Sequence, residues 1–348
     1  MSIMIYGASG YTGQLVCQYL KESGLPITLA GRSKSTMAAI AADTGFPCVE
    51  LPLSDADNLR AALKNIDVVL HCAGPFSATA KPMIDACIAS KTHYLDITGE
   101  IDVFEAAAAR DEEAKSANIM VMPGVGFDVV PSDCLAAHIK KRLPDATELL
   151  IAIKGLDKPS RGTAKTAIEG LKSGTKGRRD GKILCIDPVD VLSVDFEGTS
   201  VECLPISWGD VSTAWHSTKI ADITVAFEAS PQIRKMVAMP RVIRWVLSTD
   251  LGQSLLKKMI DKGKPGPNQK QRDAGQADLL AIAKNAAGVE VRSRLKTPEG
   301  YALTQLTASE ILKQVHAGKF TPGFQTPSRV FGPDFILGFK NCERTDVN

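Results

Sequence analysis

Short β-branched runs alternate with Ala-rich stretches of helical period through the first 125 residues. Residues 3–6, 27–30, 48–51, 68–72, 94–97 and 119–122 read as strands, and 11–23, 34–43, 55–64, 79–90 and 101–117 as the helices between them. Strands that alternate with helices in this way build a parallel sheet covered on both faces. Beyond residue 125 the texture changes. Residues 123–144 make a glycine-rich turn and then an apolar, basic-ended helix around 134–143. Extended runs at 148–153, 182–186, 223–227 and 289–295 are more amphipathic and separated by irregular pieces, which predicts an α+β second domain with a mixed or antiparallel sheet. Residues 262–274 (KGKPGPNQKQRDA) combine Pro, Gly and charge and read as a mobile loop. The expected division is 1–125, 126–330 and a C-terminal segment, 331–348, packing back on the first domain.

The first strand runs straight into Gly7-Ala8-Ser9-Gly10-Tyr11-Thr12-Gly13. The early glycines let the backbone turn and approach a pyrophosphate, and the third lets helix and strand pack closely. The anion then meets free N–H groups and the helix dipole. Ser9 and Thr12 can add hydroxyl hydrogen bonds, and Tyr11 is placed to pack over the bound group. An acidic residue about 20 positions past the glycines would grip the ribose of NAD, whereas an arginine accommodates the 2′-phosphate of NADP. Here the second strand ends in Arg32-Ser33-Lys34, which points to NADP(H). The fourth strand ends in Ala73-Gly74-Pro75, at the carboxyl edge where a doubly wound sheet meets its ligand. The fold class is therefore α/β, a Rossmann-type doubly wound parallel sheet with a second α+β domain.

Composition narrows the picture further. With 348 residues, 44% hydrophobic and 23% charged, the chain has the balance of a soluble globular protein, which excludes disordered and fibrous classes. No apolar run reaches the roughly 18 residues of a membrane span, and the amino terminus lacks the basic region of a signal peptide. Eight cysteines without a C-x-x-C pair suggest a reducing, cytoplasmic setting. Five unpaired histidines offer no metal site. Charge is uneven: residues 1–125 hold nine Lys/Arg against fourteen Asp/Glu, while 232–272 hold ten against two. Within that basic stretch, 233–247 interleaves Arg234, Lys235, Arg241 and Arg244 with Met, Val, Ile and Trp, as an amphipathic helix interrupted near Pro240. Such a face suits an anionic membrane surface or an acidic acyl carrier, or else is the solvated side of a core helix. Nucleic acid is not expected, because neither a recognition motif nor aromatic platforms accompany the charge.

GASGYTG, AGRS, CAGPF, YLDITGE, PGVGFDVVPSDCLA, RGTAKTAIEG and QTPSRVFGPDFILGF occur in this order along nearly the whole chain. Together they resemble the saccharopine dehydrogenase-like oxidoreductases, especially the branch that includes trans-acting enoyl reductases. The resemblance implies a Rossmann domain, a substrate domain and NADP(H)-linked reduction or oxidation. N-acetyl-glutamyl-phosphate reductases share the glycine turn but need a cysteine where this chain has Val125. The Tyr-x-x-x-Lys pair of short-chain dehydrogenases is missing after the fifth strand.

Hydride transfer belongs to the nicotinamide, so the protein supplies orientation and a proton. Candidates are Asp96, Thr98 and Glu100 after the fifth strand, and Asp128, Ser132 and Asp133 in GFDVVPSD. A desolvated carboxyl there would donate near neutrality, and Asp128 and Asp96 are the favoured donors. Glu100 and Asp102 equally fit a first helical turn, and Ser132 or Asp133 a helix cap. Thr163 heads a helix that the resemblance directs toward the nicotinamide, or simply caps it. Two classes of function follow: an NADP(H)-dependent reductase of a carbonyl, imine or activated alkene on a small-molecule or acyl substrate, or a non-catalytic NADP(H)-binding redox sensor. An oligomer is compatible with either.

Overall fold

The computed structural model describes residues 2–156, 159–170, 174–186, 189–237, 239–247 and 249–347. The chain divides into two compact units, Met1–Val130 with Tyr301–Val330, and Pro131–Gly300 with Phe331–Asn348.

In the first unit the strands are β1 (Ile3–Tyr6), β2 (Ile27–Gly31), β3 (Cys48–Glu50), β4 (Val68–His71), β5 (His93–Asp96) and β6 (Met120–Met122). The helices between them are α1 (Tyr11–Leu20), α2 (Lys34–Thr44), α3 (Ala56–Leu63), α4 (Phe76–Ser90), α5 (Ile101–Ala108) and α6 (Asp111–Ser116). β1 and β4 are buried along their whole length, as strands covered on both faces must be. They pair in parallel, Ile3 with Val68 through Tyr6 with His71. The strand order β6-β5-β4-β1-β2-β3 reverses direction between β1 and β4, which defines the switch point where such sheets bind ligands. The helix expected over 101–117 is two helices, α5 and α6.

α7 (Val130–Arg142) opens the second unit, with Pro131 in its first turn, where a missing N–H costs nothing. β7 (Ala146–Lys154), α8 (Arg161–Gly170), β8 (Thr175–Arg179), β9 (Lys182–Ile186), β10 (Leu192–Asp195), β11 (Ser200–Pro205), α9 (Asp210–Thr218) and β12 (Asp222–Glu228) follow. Then come the short helices α10 (Pro231–Val237) and α11 (Arg241–Leu247), α12 (Asp250–Asp261), α13 (Gln269–Ala274), and the long hairpin β13 (Gln276–Asn285) and β14 (Glu290–Pro298). The sheet is mixed: β12 and β7 run parallel, while β7–β13 and β13–β14 are antiparallel. Pro240 separates α10 from α11, as the pattern indicated. The side chains of Arg241 and Arg244 lie outside the described residues.

Three expectations need correction. Residues 301–330 belong with the first unit rather than the second. There α14 (Gly300–His316) is tied on by Thr307 Oγ1 donating to the Val125 carbonyl at 2.9 Å, and β15 (Gly323–Phe324) extends the parallel sheet beside β6. The C-terminal segment, Phe331–Asn348, belongs with the second unit rather than packing back on the first. After α15 (Pro327–Phe331), β16 (Glu343–Val347) adds to β14, with Arg292 opposite Val347. The loop expected over 262–274 contains α13, whose Asn268 and Gln271 form a reciprocal capping box that fixes its start.

Candidate functional site

Three glycines shape the turn after β1, and each is constrained differently. Gly7 has φ +83°, and a Cβ there would lie 2.7 Å from the Ala73 nitrogen, so only glycine lets the loop after β1 meet the loop after β4. A Cβ on Gly13 would lie 2.4 Å from the Gly7 carbonyl oxygen, which is the close helix–strand packing expected of the third glycine. Gly10 donates to the Gly7 carbonyl at 3.0 Å and begins α1 without a side-chain cap or an acidic residue in the first turn. Gly10 is exposed, and Ser9, Tyr11 and Thr12 are partly so. The first turn is thus bare of carboxylates and open to an anion, which fits a dinucleotide pyrophosphate. Tyr11 meets Tyr301 of α14 edge-on, with ring centroids 5.1 Å apart, a contact that nothing in the glycine motif announces.

The loop after β4 is held from beneath. Thr79 Oγ1 lies 2.7 Å from the Ala73 carbonyl and 3.0 Å from that of Pro75, so its proton is committed to them. His71 Nε2, 3.0 Å from the same oxygen, must then be the donor. Burial drives the His71 pKa down to about 3, so the ring is neutral, and its buried Nδ1 has no hydrogen-bond partner among the described residues. Gly74 itself is exposed, and a Cβ there would meet nothing closer than the Phe76 ring at 3.6 Å.

At the end of β2, Arg32 and Lys34 are exposed and Ser33 partly so. Ser33 stands at the N-cap of α2, its hydroxyl paired with Ser35 at 2.8 Å. Glu50, from the end of β3, accepts a hydrogen bond from the Lys34 backbone N–H at 2.9 Å. A carboxylate therefore already stands at the mouth of the cationic cluster, a neighbour that the sequence interval between glycines and Arg32 does not reveal.

The two favoured carboxylates occupy different surroundings. Asp96 is wholly buried at the end of β5 and accepts from the Tyr94 hydroxyl (2.7 Å) and from the backbone N–H groups of Thr98 and Gly124 (2.9 Å each). Burial pushes its pKa up to about 7 against the pull of those three donors. Its own carbonyl accepts from Val125 N at 2.7 Å, so Asp96 binds the loop after β5 to the loop after β6. Asp128 lies on that second loop. It keeps part of its surface in solvent, has no hydrogen-bond or ion partner among the described residues, and packs against Gly99, where a Cβ would lie 2.7 Å from Oδ2. Burial alone lifts its pKa to about 7. The loop is buttressed by α14: Phe127 N donates to Thr304 Oγ1 at 2.9 Å.

The other candidates have structural tasks. Glu100 accepts from the backbone N–H groups of Phe76 and Ser77 at 2.8 Å each and so caps α4. Thr98 Oγ1 accepts from Glu100 N at 3.1 Å. In the second unit, Ser132 is buried and donates to Asp210 at 2.8 Å, Asp133 is also buried, and Thr163 pairs with the α8 cap Ser160 at 3.2 Å. Burial pushes the Cys17 thiol up to about 12 and holds the Cys72 thiol well above its ordinary value, so neither is a nucleophile beside the turn.

A glycine cradle at the switch point of a parallel sheet is the arrangement of a dinucleotide-binding unit, and a partly exposed carboxyl stands on the loop after β6. Residues 3–122 match the family model for the saccharopine dehydrogenase NADP binding domain. The chain is 25% identical to the saccharopine dehydrogenase-like oxidoreductase of Mus musculus over 92% of each protein. It is 32% identical to the trans-acting enoyl reductase of Mycobacterium leprae over 40% of this chain and 36% of that one. The fold is shared with apo histidine-tagged saccharopine dehydrogenase (L-Glu forming) from Saccharomyces cerevisiae, with TM-score 0.67, 13% identity and full coverage of both chains. The family resemblance read from the motifs is thereby shown.

Proposed function

We propose that this chain is an NADP(H)-dependent reductase of a carbonyl, imine or activated alkene, with Asp128 as the proton donor. When bound, the nicotinamide supplies the hydride, and the chain's own residues do the rest. Gly7, Gly10 and Gly13 admit the pyrophosphate, Ala73 to Pro75 border it, and Arg32, Ser33 and Lys34 receive the 2′-phosphate. Asp96 holds the loops after β5 and β6 together and so positions Asp128.

The observation that carries this reading is the state of Asp128. A carboxyl with a pKa of about 7, part of its surface in solvent and no hydrogen-bond or ion partner among the described residues is poised to give up a proton near neutrality. A redox sensor would need no such group. The test is to incubate the protein with NADPH deuterated at C4 and a set of enones, imines and acyl ketones. Deuterium appearing on the carbon of a reduced product supports the enzyme. Tight NADPH binding without label transfer to any member of the set favours the sensor.

A further inference from the structure

The basic stretch carries an apolar face that the proposed chemistry does not use. Among the described residues, half of the large hydrophobic side chains that stand exposed fall in two consecutive helices: Ile243, Trp245 and Val246 on α11, and Leu251, Leu255 and Met259 on α12. Trp245 is 69% exposed, Leu251 82%, Leu255 61% and Met259 63%. The α12 residues recur at intervals of four, so they form one stripe along the helix. Lys258 and Lys262, seven and eleven positions after Leu251, project from the same face, and both are exposed.

The orientation of α12 is fixed by its other side. Lys257 pairs with Glu169 of α8 at 2.5 Å, and Lys165 of α8 pairs with Asp261 at 2.6 Å. At the corner between α11 and α12, Gly252 permits close approach, since a Cβ there would lie 2.5 Å from the Val246 carbonyl oxygen. The apolar stripe is thus held outward by ion pairs on the opposite face.

We propose that the α11–α12 face docks this protein on an anionic phospholipid surface. An apolar stripe edged with lysines lies in the plane of a bilayer interface, its side chains among the acyl chains and its ammonium groups among the phosphates. Tryptophan favours that same depth. Charge selects this occupant: the stretch from 232 to 272 holds ten Lys/Arg against two Asp/Glu, so a second copy meeting it face to face would bring like charges together. Lys258, Lys262 and Lys264 are exposed and form no ion pair among the described residues.

The test uses the full chain with vesicles of phosphatidylcholine alone or mixed with phosphatidylglycerol, read by sedimentation and tryptophan emission. We expect binding to the mixed vesicles that weakens as salt rises, with a blue shift that Trp245→Phe removes. Lys258→Gln with Lys262→Gln should weaken binding by about 30-fold, at roughly fivefold per lysine. Leu251→Ser with Leu255→Ser should abolish it with circular dichroism unchanged, these side chains being exposed already. The proposal is overturned if mixed vesicles are not bound at low salt, or if the leucine pair leaves binding intact. It is also overturned if Trp245 is already blue-shifted in a protein dimer without vesicles, or if only an acidic carrier protein binds the face.

Discussion

Replacing Asp128 by asparagine should cost activity and add stability, and both signs follow from one feature of the site. A carboxyl moved from its ordinary value near 4 to about 7 costs up to about 4 kcal/mol to ionise in place. Asp128 keeps part of its surface in solvent, so we expect about 1–2 kcal/mol of that to be expressed. The folded chain holds this proton between roughly pH 4 and 7 while the unfolded chain releases it. Its contribution to stability is therefore full below pH 4, falls as pH rises through that window and is flat above it. The asparagine variant has no charge to bury at this position, so urea unfolding at pH 8 should show it more stable than the native chain, with the difference vanishing toward pH 4. Turnover should fall on the order of 10²-fold or more with NADPH affinity unchanged. In the native protein, reduction that requires the protonated acid should lose tenfold per pH unit above about 7, and the variant should lack that limb. A variant that keeps the native rate and the same alkaline decline would refute the assignment.

Asp96 should behave in the opposite way: Asp96→Ala strands three buried donors and should destabilise the first unit by several kcal/mol at about 1–3 kcal/mol each, whereas Asp96→Asn, which retains an acceptor for Thr98 and Gly124, should recover much of this in the same urea titration. Gly13→Ala places a methyl 2.4 Å from the Gly7 oxygen, so the turn must shift; cofactor affinity measured by fluorescence titration should drop at least tenfold, and an unchanged affinity would show that the turn does not hold the cofactor.

The first sheet was legible because β1, β2 and β4 are short apolar runs that alternate with longer Ala-rich stretches of helical period. The glycine turn was legible for a related reason: Gly7 and Gly13 stand where the backbone tolerates no Cβ. β15 was not, since a two-residue strand has no period and is placed by hydrogen bonds to β6 from about two hundred residues away. β16 reads Glu-Arg-Thr-Asp-Val, without an apolar face to mark it as a strand. Among the site residues, sequence favoured Asp128 and Asp96 over Glu100 but could not separate the first two. What separates them is their partners: three donors for Asp96, an adjacent helix terminus for Glu100 and none among the described residues for Asp128. Glu50 escaped notice for the same reason, because it reaches the α2 terminus from a different strand.

Cofactor choice is the point on which the account stands, and calorimetric titration of NADPH and NADH tests it directly. Charge-assisted contacts to a phosphate contribute about 1.5–3 kcal/mol each, so Arg32 with Lys34 should favour NADPH on the order of 10²-fold. Arg32→Asp should reverse the preference by setting a carboxylate against the phosphate. Glu50→Gln should tighten NADPH further, by removing the carboxylate that now stands at the Lys34 N–H. If the native chain binds NADH as tightly as NADPH, and Glu50→Gln weakens NADH instead, then Glu50 grips the ribose and the assignment of Arg32 is wrong.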